Sequence, residues 1–305
     1  MDKEQYMKNL NVPKGKIDVI LDTDTYNEID DQFALTYMLR SETKLNVKAI
    51  CAAPFLNSLS VSPKDGMLKS YDEILKLLDL ADRSDLADVA YKGSTEYLAN
   101  ESTPVISEAA RQIAKIAAEY SPQKPLYVVA IGAITNVASA ILINPAIAEN
   151  IVIVWLGGHS HDFEDTKEFN MMQDIAAARV IFSCGTPVVQ LPCMGVVSNF
   201  LTTKPELEYW LSDRNSLCDY LLENTVTEAE EYALGKPWSR IIWDVTAVAW
   251  LLNDDDRFML SRIEKIRLPE YDFTYQEAQT DKLMRYVYFI KRDELMKDLF
   301  DKLRS

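Results

Sequence analysis

Runs of unbroken apolar residues alternate with stretches of helical spacing through the first two thirds of the chain. Ile17–Thr23 (IDVILDT), Asn46–Ala53, Asp88–Lys92, Leu126–Ile131, Ile151–Leu156 and Pro187–Leu191 read as six short strands. Between them, Ile29–Ser41, Pro63–Leu80, Val105–Glu119, Ile134–Ile143 and Asp174–Cys184 read as helices. In the longest of these, Met67, Leu68, Tyr71, Ile74, Leu75, Leu77 and Leu78 recur at the spacing of one helical face. Near-continuous apolar strands separated by helices predict an α/β fold, a mostly parallel central sheet with helices on both faces. After Pro192 the pattern changes. Pro205–Leu211, Leu217–Tyr232 and Ile241–Leu252 read as helices added in the C-terminal third, followed by a late strand, Arg285–Ile290, and a charged terminal helix, Lys291–Leu303. No repeat or Pro/Gly/Ser linker interrupts the chain, so residues 1–305 are expected to form one domain.

Composition narrows the function classes. The formal net charge is −15, which argues against nucleic acid and against an anionic membrane surface as partners. The four cysteines, Cys51, Cys184, Cys193 and Cys218, form no C-x-x-C pair and read as reduced thiols. The first residues are polar and resemble no signal peptide, and no run is long enough for a membrane span. A cytoplasmic protein is expected.

The candidate chemistry sits where the first strand ends. Asp22 and Asp24 are alternate residues of an extended segment and can project the same way; Asp30 and Asp31 open the following helix. Ligands of open α/β sheets bind at the carboxyl ends of strands, and crowded carboxylates there call for a cation or a shared proton. Four oxygen-bearing side chains suit a hard dication such as Ca²⁺.

This stretch resembles the opening DxDPGxDD of the inosine-uridine-preferring nucleoside hydrolases, with one departure. Thr25-Tyr26-Asn27-Glu28-Ile29 replaces the family's Pro-Gly turn and is two residues longer. Further motifs of that family follow in order: Asn57 after the second strand, Gly132-Ala133-Ile134-Thr135-Asn136 after the fourth, Gly157-Gly158 and Glu168-Phe169-Asn170 after the fifth, and Asp244 at the start of an apolar helix.

The resemblance implies a Ca²⁺-dependent N-glycosyl hydrolase that splits ribonucleosides into free base and ribose. It implies Asp24, Asp31, the Thr135 carbonyl and Asp244 as metal ligands, Asp24 as the base, and Asp22 as the residue that orients the network. Asp30, Asn57, Glu168 and Asn170 would hold the ribose. Five carboxylates around one dication leave a formal charge of about −3, suited to a sugar that becomes positive in the transition state. Trp243 stands where some members carry a histidine that protonates the base. An aromatic at this position fits the purine-leaning subgroup, by stacking on the base. Trp238, Tyr232 and Arg240 flank that segment and would line the base pocket or form a lid. His159 and His161, after the fifth strand, read as polar loop residues, with replacement of that acid by one of them as the alternative. The longer Thr25–Ile29 loop is expected to bulge outward at the pocket mouth. A homo-oligomer, dimer or tetramer, in nucleoside salvage is expected. Two competing readings are a phosphatase of the haloacid-dehalogenase kind, because Asp22-Thr23-Asp24-Thr25 satisfies its DxDxT motif, and a nucleoside- or ribose-binding protein without turnover.

Overall fold

A computed structural model describes residues 1–277 and 282–305. Its main sheet contains β1 (Ile17–Thr23), β2 (Leu45–Ala52), β3 (Ala90–Lys92), β4 (Leu126–Ala130), β5 (Ile151–Leu156) and β6 (Val188–Leu191). A small separate ladder pairs β7 (Leu201–Thr202) with β8 (Arg240–Ile241), and the chain returns to the main sheet with β9 (Met259–Lys265) and β10 (Leu283–Ile290). The main sheet has eight strands in the order β3-β2-β1-β4-β5-β6-β10-β9. Every neighbouring pair is parallel except β9 with β10.

The unbroken apolar runs have the expected cause. Each residue of β4, β5 and β6 is buried, because both faces of the sheet are covered. Alternate residues feed two separate cores. Val19, Leu21, Val129 and Val154 face one with the helices Asp30–Leu39, Pro63–Leu80 and Val245–Leu251; Ile20, Val128, Ile153 and Trp155 face the other with Glu108–Ala117, Thr135–Ile143 and Ile175–Ser183.

The strand order places the site. From β1 the chain steps outward to β2 and β3, then crosses back to the other side of β1 with β4. The carboxyl ends of β1 and β4 therefore flank a topological switch point, where a crevice opens in such sheets. Asp22 pairs in register with Ala130 of β4 and Cys51 of β2, so the acidic loop after β1 leaves the sheet beside the loop that begins at Ile131.

Some boundaries differ from expectation. The helix predicted from Ile241 begins at Val245, because Arg240 and Ile241 pair with Thr202 and Leu201 instead. β9 is a strand that its mixed polarity concealed: only Met259 is fully buried along it. Two short helices, Lys3–Asn9 and Phe169–Gln173, also lie outside the predicted set; the second is capped by the Glu168 side chain.

Ile153 is fully buried at the centre of β5. Ile153→Ala is expected to cost about 2–5 kcal/mol of unfolding free energy, read from the midpoint shift in urea denaturation.

Candidate active site

Asp22 closes the floor of the crevice. It is fully buried, and its Oδ1 accepts from Asn136 Nδ2 at 2.8 Å. Asn136 also reaches the Ala52 carbonyl and accepts from Ser94, so one amide ties the ends of β1, β2 and β3 to the helix that follows β4. Asp22 Oδ2 and both oxygens of Asp24 are buried without a hydrogen-bond partner among the described residues. Such groups are costly unless something compensates them. Gly132 permits the crowding, since a Cβ there would meet Asp24 Oδ1 at 2.7 Å.

Asp30 and Asp31 form the first turn of their helix, where the dipole favours negative charge. Asp244 approaches from the start of the helix Val245–Leu251, and its backbone N–H donates to Asp30 Oδ2 at 3.2 Å. Carboxylate oxygens of Asp30, Asp31 and Asp244 lie within 4.8 Å of one another. Thr23 donates its hydroxyl to Asp31 Oδ1 and fixes that carboxylate against β1. Burial is the leading cause of raised pKa values throughout the cluster. Asp22 and Asp31 are each pushed up to about 7, and Asp24, Asp30 and Asp244 lie well above the ordinary range, with neighbouring carboxylates adding to the shift.

Three carboxylates sharing one space, with two orphaned oxygens on Asp24 beside them, suit a hard dication held by oxygen ligands. The tight triad contains Asp30 in addition to the expected Asp31 and Asp244. Thr135 opens the helix after β4, and its hydroxyl donates to Asp174 Oδ2 at 2.6 Å.

Above this cluster opens a cavity of about 200 Å³. Asp30, Asp31 and Asp244 are at its base, and Glu168, Asn170 and Trp243 stand in its wall. Glu168 accepts from the backbone N–H groups of Gly158, Asn170 and Met171 at 2.8, 2.8 and 2.9 Å. These bonds fix its carboxylate at the cavity edge. Asn170 donates its amide to the carbonyls of Ile131 and Leu156 at 3.1 and 3.0 Å, which leaves its side-chain oxygen for a ligand. Asn170 thus bridges the ends of β4 and β5.

Several placements differ from the sequence reading. Asn57 does not line the cavity; its Nδ2 donates to Asn27 Oδ1 at 2.6 Å, and Asn27 is the lining residue. The Thr25–Ile29 loop does not bulge outward as a whole. A tight turn, with Asn27 N–H donating to the Asp24 carbonyl at 2.6 Å, buries Asn27 and Ile29 and leaves Tyr26 exposed. Tyr232, Trp238 and Arg240 are absent from the wall. Arg240 instead donates to Glu228 at 2.9 Å and Glu28 at 3.4 Å, which fastens the loop to the helix Ser216–Ala233. His159 lines the cavity, as do Lys167, Cys193 and Met194, which carried no sequence signal for it. His161 lies elsewhere, between the rings of Tyr275 and Tyr286 with Nδ1 3.1 Å from Glu264.

The sequence model described as inosine-uridine preferring nucleoside hydrolase matches residues 19–285. The chain belongs to this family. The phosphatase alternative is thereby set aside. The pyrimidine-specific ribonucleoside hydrolase RihB of Escherichia coli (strain K12 / DH10B) is 32% identical over 137 residues, 42% of this chain and 42% of that protein. The matched stretch thus spans less than half the length of this curated relative. Among solved structures, the plant nucleoside hydrolase PpNRh1 has a TM-score of 0.74 at 20% identity, covering 96% of this chain and 100% of that one. A purine-preferring ribonucleoside hydrolase from Gardnerella vaginalis has a TM-score of 0.73 at 20% identity, covering 94% and 98%. Both share the fold.

Acids with pKa values near 7 in the folded state and near 4 when unfolded keep more protons in the folded protein between those limits. Without a cation, this contribution makes stability fall as pH rises from about 4 to about 7. A dication competes with those protons. Thermal unfolding in chelator and in Ca²⁺ should therefore show a larger Ca²⁺-induced rise in Tm at pH 8 than at pH 5; an equal rise at both would separate the cation from this cluster.

Proposed function

We propose that this protein is a Ca²⁺-dependent ribonucleoside hydrolase, purine-leaning, that releases free base and ribose. The observation that carries the reading is the buried carboxylate cluster opening directly onto a cavity walled by Glu168, Asn170 and Trp243. Asp24, Asp30, Asp31 and Asp244 would hold the dication, joined by the Thr135 carbonyl. When bound, it would neutralise much of the cluster and acidify the attacking water.

The chain's own groups do the rest. Asp24, whose side chain has no hydrogen-bond partner among the described residues, takes the proton of the water that attacks C1′. Asp22, anchored by Asn136, orients the network. Asp30, Glu168 and Asn170 accept from ribose hydroxyls, and Asn57 supports the wall through Asn27. The surplus of carboxylates stabilises the positive charge that grows on the sugar as the bond to the base stretches. Trp243 is only partly buried and packs against the core with one side while facing the cavity, which favours stacking on a base.

The setting we propose is salvage of nucleosides in the cytoplasm by a homo-oligomer, a dimer or tetramer, with neither nucleic acid nor membrane as a partner. Four free thiols suit a reducing compartment. Among the described residues no helix is long and apolar enough to cross a membrane.

A panel of common ribonucleosides, assayed for free base and ribose with Ca²⁺ and with chelator, tests the reading. Metal-dependent release is expected. Binding without release would turn the reading toward a nucleoside-binding protein. Asp24→Ala should lower kcat by at least about 10³-fold, combining the loss of a base and a ligand; near-normal turnover would remove Asp24 from both roles. Trp243→Ala should reduce kcat/KM for purine nucleosides about tenfold more than for pyrimidine nucleosides, a stacking difference of about 1.4 kcal/mol. Equal losses would reduce Trp243 to packing.

A further inference from the structure

When the glycosidic bond breaks, its electron pair passes into the base, and the base needs a proton to depart as a neutral molecule. The cavity wall offers few sources. Asp30, Asp31 and Asp244 would hold the dication, Glu168 is committed to three backbone N–H groups, and Glu28 is paired with Arg240 at 3.4 Å. The Cys193 thiol is buried, which pushes its pKa well up. The Lys167 side chain is 56% exposed and is paired with Asp165 at 3.1 Å.

His159 remains, and its surroundings hold it in place. Its backbone N–H donates to Thr166 Oγ1 at 3.2 Å, and its carbonyl accepts from the Tyr275 hydroxyl at 3.2 Å. Gly158 before it has a φ of +78°, and a Cβ there would meet the Tyr275 hydroxyl at 2.1 Å. The same glycine donates its N–H to Glu168, so the carboxylate at the ribose side of the wall also fixes the turn that presents the imidazole. The Phe163 ring packs against that imidazole with centroids 5.5 Å apart. Nδ1 is buried and lacks a hydrogen-bond partner among the described residues. The other histidine is engaged with Glu264 and two tyrosines, outside the cavity wall.

We propose that His159 is a catalytic residue that, in its imidazolium form, protonates the departing base. The assignment rests on the hydrolase reading above. As the C1′–N bond breaks, its electron pair goes to the base and an imidazolium nitrogen releases its proton to a base nitrogen. Water adds its oxygen to C1′ and gives one proton to Asp24. Solvent then returns a proton to the imidazole and removes the one on Asp24, so the sum is nucleoside plus water to base plus ribose. Burial lowers the His159 pKa against the pull of Asp165, which makes the imidazolium a stronger acid and a rarer one at neutral pH.

The test compares a leaving group that needs a proton with one that does not. His159→Ala and His159→Gln would be assayed with Ca²⁺ on the ribonucleoside that the unaltered protein turns over fastest and on 4-nitrophenyl β-D-ribofuranoside, whose nitrophenolate departs as an anion. A loss of kcat of about 10²-fold or more on the nucleoside is expected, with less than about threefold change on the nitrophenyl riboside. The glutamine variant keeps a polar side chain of similar reach, so it decides the matter if the alanine variant fails to fold. Equal losses on both substrates, or an undiminished rate on the nucleoside, overturn the proposal. An unaltered protein inert on both substrates would instead sink the hydrolase reading, and the acid role with it.

Discussion

Mutual repulsion among buried carboxylates is the constraint on which this structure turns. Asp22, Asp24, Asp30, Asp31 and Asp244 are all buried, and among the described residues the one lysine or arginine lining the cavity, Lys167, is paired with Asp165. Charges brought this close in a low-dielectric interior cannot all ionise without a compensating positive charge. Much of the surrounding fold can be understood as a frame that holds them together anyway. The parallel pairing of β1 with β2 and β4 aims two of them into the crevice, a helix N-terminus carries two more, and a second helix returns from the far end of the chain with the fifth. Asn136, Thr23 and the Asp244 backbone supply neutral donors that soften the repulsion without removing it.

The architecture was largely legible in sequence because it depends on patterns that burial enforces. A strand covered on both faces must be apolar throughout, so β1, β4, β5 and β6 announced themselves. β9 did not: its exposed and half-buried positions give no continuous run, and it exists because β10 offers an antiparallel partner. The helix that follows Asp244 is shorter than its sequence suggests for a related reason. Ile241 opens an apolar run that reads as helix, but Arg240 and Ile241 have a strand partner, β7, in space.

The site shows the same division. Acidic residues at a strand end and a helix start are a local signal, readable from a few adjacent positions. Lining residues set by tertiary packing are not. Asn57 and Asn27 are chemically alike, and only the turn after Asp24 decides which one faces the cavity. His159 and His161 are two residues apart in one loop, yet one meets the cavity and the other a tyrosine pair. Nothing in the intervening sequence separates them; the clasp between Gly158 and Glu168 does.

The two borders of the main sheet bear on how copies of this chain can meet. β3 is only three residues long, and β9 presents Arg262, Glu264 and Lys265 along its length. Short or charged edge strands are poor templates for strand addition. Joining two sheets end to end would set these charges against an incoming backbone at one border and offer little ladder at the other. Any quaternary structure would therefore be assembled from helical faces and loops, and its contacts would be side-chain contacts that substitution can tune without disturbing the strands that carry the acidic cluster.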